Sequence, residues 1–242
     1  MGINKIQFIT NHDLAKDYFP PVPIKKLIPD WYKKLNMYQV EKDLAFDPSF
    51  IVNNKLTSIP HTSKACIPLR DYLMSGYVIR AQSDILMKQE GVNEETGVTN
   101  WSWFASDTLM LSIGGHNYEQ LPIPLANKKN SYLKFNTRWA IKTPKGYSCL
   151  FYQPELFFES RFKLLPAIVD TDTYNSPISY PGFITAAETS FKIEAGTPLI
   201  AVFPFKREKW KMELSTTNKE FVTPFMTQGW YKKLFHSKKA YD

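Results

Sequence analysis

Residues 143–205 constrain the fold more than any other stretch of the chain. Short apolar runs rich in Val, Ile, Phe and Tyr alternate here with Pro, Gly, Asn and Asp, a pattern typical of paired strands joined by tight turns. The clearest runs are YSCLFY (147–152), AIVD (167–170) and LIAVFPF (199–205). They predict a mainly β protein, an antiparallel β-barrel or jelly-roll-like sandwich, with a few short peripheral helices.

The length of 242 residues suits one large β domain with a sizeable core. We therefore predict a single β-rich domain over residues 1–242. Two segments are predicted to lie around it. One is a proline-aromatic arm at 19–38, and the other is a helical tail at 206–242, where KREKWKMEL (206–214) has an amphipathic pattern.

The chain is basic, with 30 Lys and Arg against 23 Asp and Glu and a formal net charge of +7. This balance favours an anionic partner but does not identify one. The basic residues are scattered along the sequence, which also fits an ordinary solvated surface. Together with an aromatic content of 15%, the charge leaves nucleic acid as one candidate partner, although the sequence contains no known nucleic-acid module.

Cys66 and Cys149 are the two cysteines, too few for a disulfide framework. Their number indicates a reducing compartment, and the sequence leaves open whether the two form a disulfide. The first residues lack the apolar core of a signal peptide, and no apolar run reaches the length of a membrane span. We predict a cytoplasmic protein, or one assembled from the cytoplasm, with no membrane partner.

The arm combines four prolines with aromatic residues. Pro20, Pro21 and Pro23 favour an extended path. A short helix is predicted to begin near Pro29 and Asp30. The arm either packs on its own domain or docks on another chain. Under the second hypothesis the partner-binding side chains are Trp31, Tyr32 and, in the second copy of the WYKKL pentapeptide, Trp230.

Between the arm and the β-rich half, a helix is predicted to begin near Pro68 and to end at Gly76. Residues 77–105 are predicted to contain a hairpin whose loop spans 88–100. Gly114 and Gly115 are predicted to form a flexible turn.

Three motifs resemble the β-barrel of the dUTPase and dCTP deaminase superfamily. They are PKGY (144–147), IVDTDTY (168–174) and IEAGTPLIAV (193–202). The resemblance implies that Asp170 is the catalytic aspartate and that Tyr174 stacks on the deoxyribose. The sequence departs from the family at YQPELFFESR (152–161), where a Ser-rich phosphate-binding motif belongs, and it lacks the glycine-rich C-terminal motif.

The nucleotide hypothesis needs further ligand-binding residues. Asp172 lies in the same turn, and Arg161, Lys163 or Arg207 would meet the phosphates. The alternative for Asp170 and Asp172 is that both carboxylates cap a turn, because Asp is a preferred turn residue.

The whole chain also resembles an uncharacterised protein family of tailed phages, especially cyanophages, that also occurs in bacteria. The matching segments are FPPVPIKKLIPDWYKKL (19–35), KACIPLRDYLMSGYVI (64–79), KTPKGYSCLF (142–151), IVDTDTY (168–174) and GTPLIAVFPFKREKW (196–210). This resemblance implies a phage setting and no known activity.

Two functions therefore stay open. The first is a phage-type non-enzymatic binding or assembly protein that uses the β domain as a platform and binds a protein partner or a second copy of itself. The alternative is a deoxynucleotide-binding or nucleotide-hydrolysing enzyme that uses the Asp170 turn. The sequence does not decide whether the chain is an enzyme. Its four histidines lack metal-ligand spacing, so no metal site is predicted, and magnesium would be a cofactor only in the nucleotide hypothesis.

Overall fold

The computed structural model describes residues 4–38, 51–52, 55–56, 62–95, 97–105, 111–116, 120 and 132–214. The chain divides into two compact units, Met1–Lys206 and Arg207–Asp242. The second copy of WYKKL and Trp230 lie outside the described residues. None of the helices in the described ranges has the length and apolarity of a bilayer span.

Strands dominate the first unit. In chain order they are β1 (Gln7–Ile9), β2 (Val22–Pro23), β3 (Ile51–Val52), β4 (Lys55–Leu56), β5 (Tyr77–Arg80), β6 (Ile85–Val92), β7 (Thr99–Ala105), β8 (Leu111–His116), β9 (Tyr132–Thr137), β10 (Ala140–Lys142), β11 (Tyr147–Tyr152), β12 (Phe162–Leu164), β13 (Ala167–Val169), β14 (Ser179–Ile184), β15 (Ser190–Ile193) and β16 (Pro198–Lys206). The α-helices are α1 (Asp30–Lys34) and α2 (Ile67–Met74), and short 3-10 helices cover Asp13–Lys16, Ile24–Leu27, Ser63–Ala65 and Glu155–Phe157.

Every pairing among the described strands is antiparallel. The two largest sheets have the orders β13-β11-β16-β5-β2 and β12-β14-β9-β8. A three-stranded sheet, β15-β6-β7, and the two-stranded sheets β1-β10 and β3-β4 complete the pairing. The described strands do not close into one barrel. The predicted mainly β, antiparallel fold with few short helices is confirmed, in its sandwich-like form.

The core lies between the two large sheets. Phe151 of β11 meets Tyr180 of β14 with ring centroids 5.6 Å apart, and both side chains are almost fully buried. The strand β14 shows why the sequence folds this way, since its alternate residues Tyr180, Gly182 and Ile184 face inward. Burial of each large side chain contributes roughly 1.5–3 kcal/mol, and the alternation places these residues on one face.

The predicted strands YSCLFY, AIVD and LIAVFPF correspond to β11, β13 and β16. The predicted helix near Pro68 is α2, and Gly76 ends it with φ of +79°. The turn before β11 contains Gly146 at φ +86°. Turn and helix-end glycines are thus correctly predicted where the backbone needs a positive φ.

Three predictions are corrected. Gly114 and Gly115 lie inside β8 and pair with β9, so they form a strand and no turn. The hairpin loop is shorter than 88–100, because β6 continues to Val92 and β7 begins at Thr99. The helix over KREKWKMEL is not formed in the described part of the tail, since Lys206 ends β16 and residues 207–214 have no regular structure.

Gly182 tests the close contact of β12 and β14. A Cβ at this position would lie 2.3 Å from the Lys163 carbonyl oxygen and 2.7 Å from a Leu164 methyl carbon. We expect Gly182→Ala to lower the free energy of unfolding by about 1–3 kcal/mol, because backbone must move to make room. The measurement is urea denaturation.

The matched control is Gly115→Ala, also in a strand, where a Cβ meets nothing within 4 Å. This variant should be neutral or more stable by up to about 1 kcal/mol. Equal stability of the two alanine variants would contradict the packing described at Gly182.

Candidate functional site

The IVDTDTY turn follows β13 and is fixed by Asp170. Its Oδ1 accepts a hydrogen bond of 2.6 Å from the Ser148 hydroxyl on β11. Its carbonyl oxygen accepts hydrogen bonds from the amides of Thr173 and Tyr174, at 3.0 and 2.9 Å. Asp170 itself is exposed. Its carboxylate thus ties the turn to the neighbouring strand.

Asp172 joins this turn to the turn before β11. Its Oδ2 accepts a hydrogen bond of 2.8 Å from the amide of Gly146. Beneath the two turns, the hydroxyl oxygens of Thr143 and Thr171 lie 2.8 Å apart, and the Thr171 hydroxyl also lies 3.3 Å from the Cys149 sulfur. Each carboxylate therefore has a hydrogen-bond partner within the chain, and the contact of Asp172 with the turn before β11 fits the capping alternative.

The predicted catalytic residue and two of the predicted ligand-binding residues lie together. Asp170, Asp172 and Tyr174 share one turn, and Tyr174 is 45% exposed. A cavity of about 440 Å³ lies elsewhere, lined by Phe8, Pro21, Pro23 and Tyr77 among others. None of the predicted ligand-binding residues lines this cavity. The catalytic role of Asp170 stays a prediction.

Arg161 is held beside β15. Its guanidinium makes two hydrogen bonds to the Glu159 carboxylate, at 2.8 and 2.6 Å, and a third to the Lys192 carbonyl oxygen. Burial alone would raise the pKa of Glu159, but the hydrogen bonds and charge of Arg161 hold that pKa below its ordinary value. Lys163 pairs with Glu155 at 2.8 Å. Arg161 and Lys163 thus already have carboxylate partners.

The remaining predicted site features are Arg207 and a magnesium ion. Arg207 belongs to the second compact unit. Among the described residues, no group of three His, Cys, Asp or Glu side chains is arranged to hold a metal ion. The nucleotide hypothesis implies magnesium, which proteins usually hold through one or two carboxylates and the substrate phosphates, so magnesium stays a prediction.

The arm packs on its own chain. The indole N–H of Trp31 donates a hydrogen bond of 2.8 Å to the Leu156 carbonyl oxygen. Tyr32 is 7% exposed, and its hydroxyl donates to the Lys64 carbonyl oxygen at 3.3 Å. These two predicted partner-binding side chains therefore make intramolecular contacts in the first unit.

Phe158 is an exposed aromatic residue in this region, and sequence reasoning did not single it out. It follows the 3-10 helix Glu155–Phe157 and has a φ of +57°, a left-handed conformation that is uncommon for a bulky residue. Its side chain is 65% exposed, and its ring centroid lies 5.4 Å from that of Trp31. No sequence signal marks a phenylalanine for this conformation.

Basic residues are concentrated in the helical segments of this region, among them Lys33 and Lys34 of α1, the helix that carries Trp31. We call the four helical segments Ile24–Leu27, α1, Ser63–Ala65 and α2 the basic cap. Contacts of α2 with Ile24–Leu27 and with Ser63–Ala65, and of Lys64 with Tyr32, join these segments. The basic cap holds six basic side chains, Lys25, Lys26, Lys33, Lys34, Lys64 and Arg70, against two acidic ones, Asp30 and Asp71.

The contact between the two turns can be tested at Asp172. We expect Asp172→Ala to lower the free energy of unfolding by about 1–3 kcal/mol, because the Gly146 amide loses a charged acceptor. Asp13→Ala is the control, since its side chain is fully exposed and pairs only with Lys16. Equal urea unfolding curves for the two variants would show that Asp172 does not hold the turns.

The buried thiol of Cys149 is expected to make the free energy of unfolding depend on pH in the alkaline range. Burial raises the pKa of this thiol to about 11, and the hydrogen bond with Thr171 opposes part of the shift. The unfolded thiol ionises first, so stability falls as pH rises from about 9 to about 11, by roughly 2–3 kcal/mol in total. Buried tyrosines shift in the same direction, as Tyr180 does.

The measurement is urea unfolding of the wild type and of Cys149→Ala over this pH range. The variant should lose stability less steeply, whereas Cys66→Ala, at an exposed free cysteine, should follow the wild type. Parallel curves for all three proteins would contradict the assignment. The two cysteines are unpaired, which answers the question that the sequence left open.

Comparisons with known proteins give a weak structural match and no family. No family model matches the chain, and no curated protein matches it. A solved structure of EIAV dUTPase aligns with 60% of this chain and 86% of its own, at 10% sequence identity and a TM-score of 0.32. A likeness of this size establishes neither family nor activity, so the chain's own residues must carry the argument for function.

Proposed function

We propose that this chain is a non-enzymatic binding or assembly protein whose contact surface is the basic cap together with Phe158. The observation that carries this proposal is the exposure of Phe158 beside Trp31. Large exposed aromatic residues are typical anchors of interfaces. A left-handed conformation costs stability for a residue of this kind, and such strain is concentrated at functional sites.

Other exposed apolar side chains extend the surface. Met37 is 50% exposed and Tyr38 is 47% exposed, a few residues beyond α1. The amide of Thr62 donates to the Met37 carbonyl oxygen at 3.1 Å, which links this stretch to the segment that leads to α2. Apolar anchors within a charged rim are the usual arrangement of a binding surface.

The resemblance to a tailed-phage family supplies the biological setting of the proposal. The protein would act in the cytoplasm of an infected host or on the virion. Its β-sandwich would serve as a rigid platform, and the arm would act by holding Phe158 in place. Trp31 and Tyr32 support this role, because both are fixed by hydrogen bonds to backbone carbonyl groups.

Deoxynucleotide binding at the Asp170 turn is the second candidate. One observation favours it: Asp170 and Tyr174 are exposed and lie in the same turn. The hydrogen bonds from Ser148 to Asp170 and from Gly146 to Asp172 favour a structural role of the two carboxylates instead. We therefore place the binding function first.

The proposal can be tested by replacing Phe158 with the photo-crosslinking residue p-benzoylphenylalanine in cells that produce the protein. Irradiation should give a covalent adduct, because an interface anchor lies within reach of its partner. Phe104 is the matched control position, since it is 68% exposed on β7, away from the basic cap. The adduct is detected by its altered electrophoretic mobility and identified by mass spectrometry and nuclease treatment.

Absence of an adduct at position 158, or equal adducts at 158 and 104, would contradict the proposal. The nucleotide alternative is excluded or supported in parallel by thermal denaturation with deoxynucleoside triphosphates and magnesium. A ligand at about a hundred times its Kd stabilises the folded state by about 2.7 kcal/mol. A stabilisation that Asp170→Asn abolishes would favour the second candidate.

A further inference from the structure

We infer that the partner of the basic cap is a single-stranded nucleic acid, bound without sequence preference. This inference rests on the proposed function and names the partner of the same surface. The lysines of the basic cap would neutralise phosphates, and Phe158 would stack on a base.

The basic cap has an excess of positive charge. Six basic against two acidic side chains give a balance of +4 in these four segments, while Glu155 and Glu159 beside Phe158 pair with Lys163 and Arg161. Lys25, Lys26, Lys33 and Lys34 are exposed. Among them, Lys33 pairs with Asp30 at 3.0 Å, an exposed pair of small energetic value. Such a surface attracts a polyanion, and each phosphate contact releases counterions from the nucleic acid.

The ring of Phe158 is exposed beside these basic residues. Proteins that bind single strands combine a basic surface with aromatic side chains on which bases stack. The 65% exposure of Phe158 leaves ring surface available, while its contact with Trp31 fixes the orientation of the ring. The exposed aromatic side chain and the lysines of α1 are close, because Trp31 itself belongs to α1.

The basic side chains of the cap are mostly lysines. Five of the six basic side chains are lysines, which act as point charges toward phosphate, whereas arginine is the usual reader of base edges. The basic cap therefore fits backbone contact without base recognition. An acidic protein would also meet the charge, but it would gain less from an exposed flat ring on which a base can stack.

The experiment measures fluorescence anisotropy of a labelled oligothymidylate of about 20 nucleotides titrated with the full chain. If four phosphates are neutralised, the slope of log affinity against log salt is about −3, a loss of about 50-fold between about 50 and 200 mM salt. Lys33→Glu/Lys34→Glu should weaken binding and make the slope shallower by about 1.4.

The matched charge control is Lys88→Glu/Lys192→Glu, on the β15-β6-β7 sheet, which changes net charge equally. It should retain the slope of the wild type. Loss of binding equal to that of Lys33→Glu/Lys34→Glu would mean that net charge alone attracts the strand, which would overturn the assignment to the basic cap.

Stacking is tested by Phe158→Ala, which should weaken binding by about 5-fold or more, because stacking on an aromatic ring accounts for a large factor per base. Phe104→Ala is the control and should bind as the wild type does. Circular dichroism and thermal denaturation check that each variant is folded. No binding of oligothymidylate at low salt, or binding that Phe158→Ala leaves unchanged, would overturn the inference.

Polyglutamate distinguishes a nucleic acid from an acidic protein. It should compete poorly at equal charge, and full competition at equal charge would overturn the inference in favour of an acidic protein. The failure of this inference is separable from that of the proposed function. A protein adduct at position 158 without oligothymidylate binding would leave the binding function in place, whereas absence of any adduct would remove both.

Discussion

The antiparallel pairing of β11 with β16 is the interaction on which the other features depend. The register runs from Tyr147 opposite Lys206 to Tyr152 opposite Ala201. On one side, β11 pairs with β13 and so positions the Asp170 turn. On the other side, β16 pairs with β5, which follows the basic cap. The predicted nucleotide site and the proposed binding surface are therefore attached to the same two strands.

The fold class could be predicted because its signal is local. Alternating burial along β14 and the positive φ of Gly146 follow directly from residue type. The glycine pair in β8 could not be predicted, because glycine disfavours strands locally and the pairing with β9 that makes it a strand is a tertiary contact. Where tertiary contacts override local preference, sequence patterns fail.

The candidate site likewise has features that the sequence revealed and features that it did not. The motif that resembles a nucleotide enzyme was visible in the sequence, and so was the alternative that its aspartates cap a turn. The binding surface was not recognised, because its basic residues come from two stretches of the chain, 24–34 and 63–74. The two stretches come together through the contact of α2 with Ile24–Leu27. Phe158 could not be found either, since its exposure depends on a backbone conformation that phenylalanine rarely adopts.

The two cysteines differ in a way that has a practical consequence. Cys149 is buried in the core and its thiol stays protonated near neutral pH, whereas Cys66 is exposed at the residue before α2. A thiol-reactive dye would consequently attach at a single native position on the edge of the basic cap. The unaltered chain thus carries its own reporter site beside the surface at which a partner would arrive.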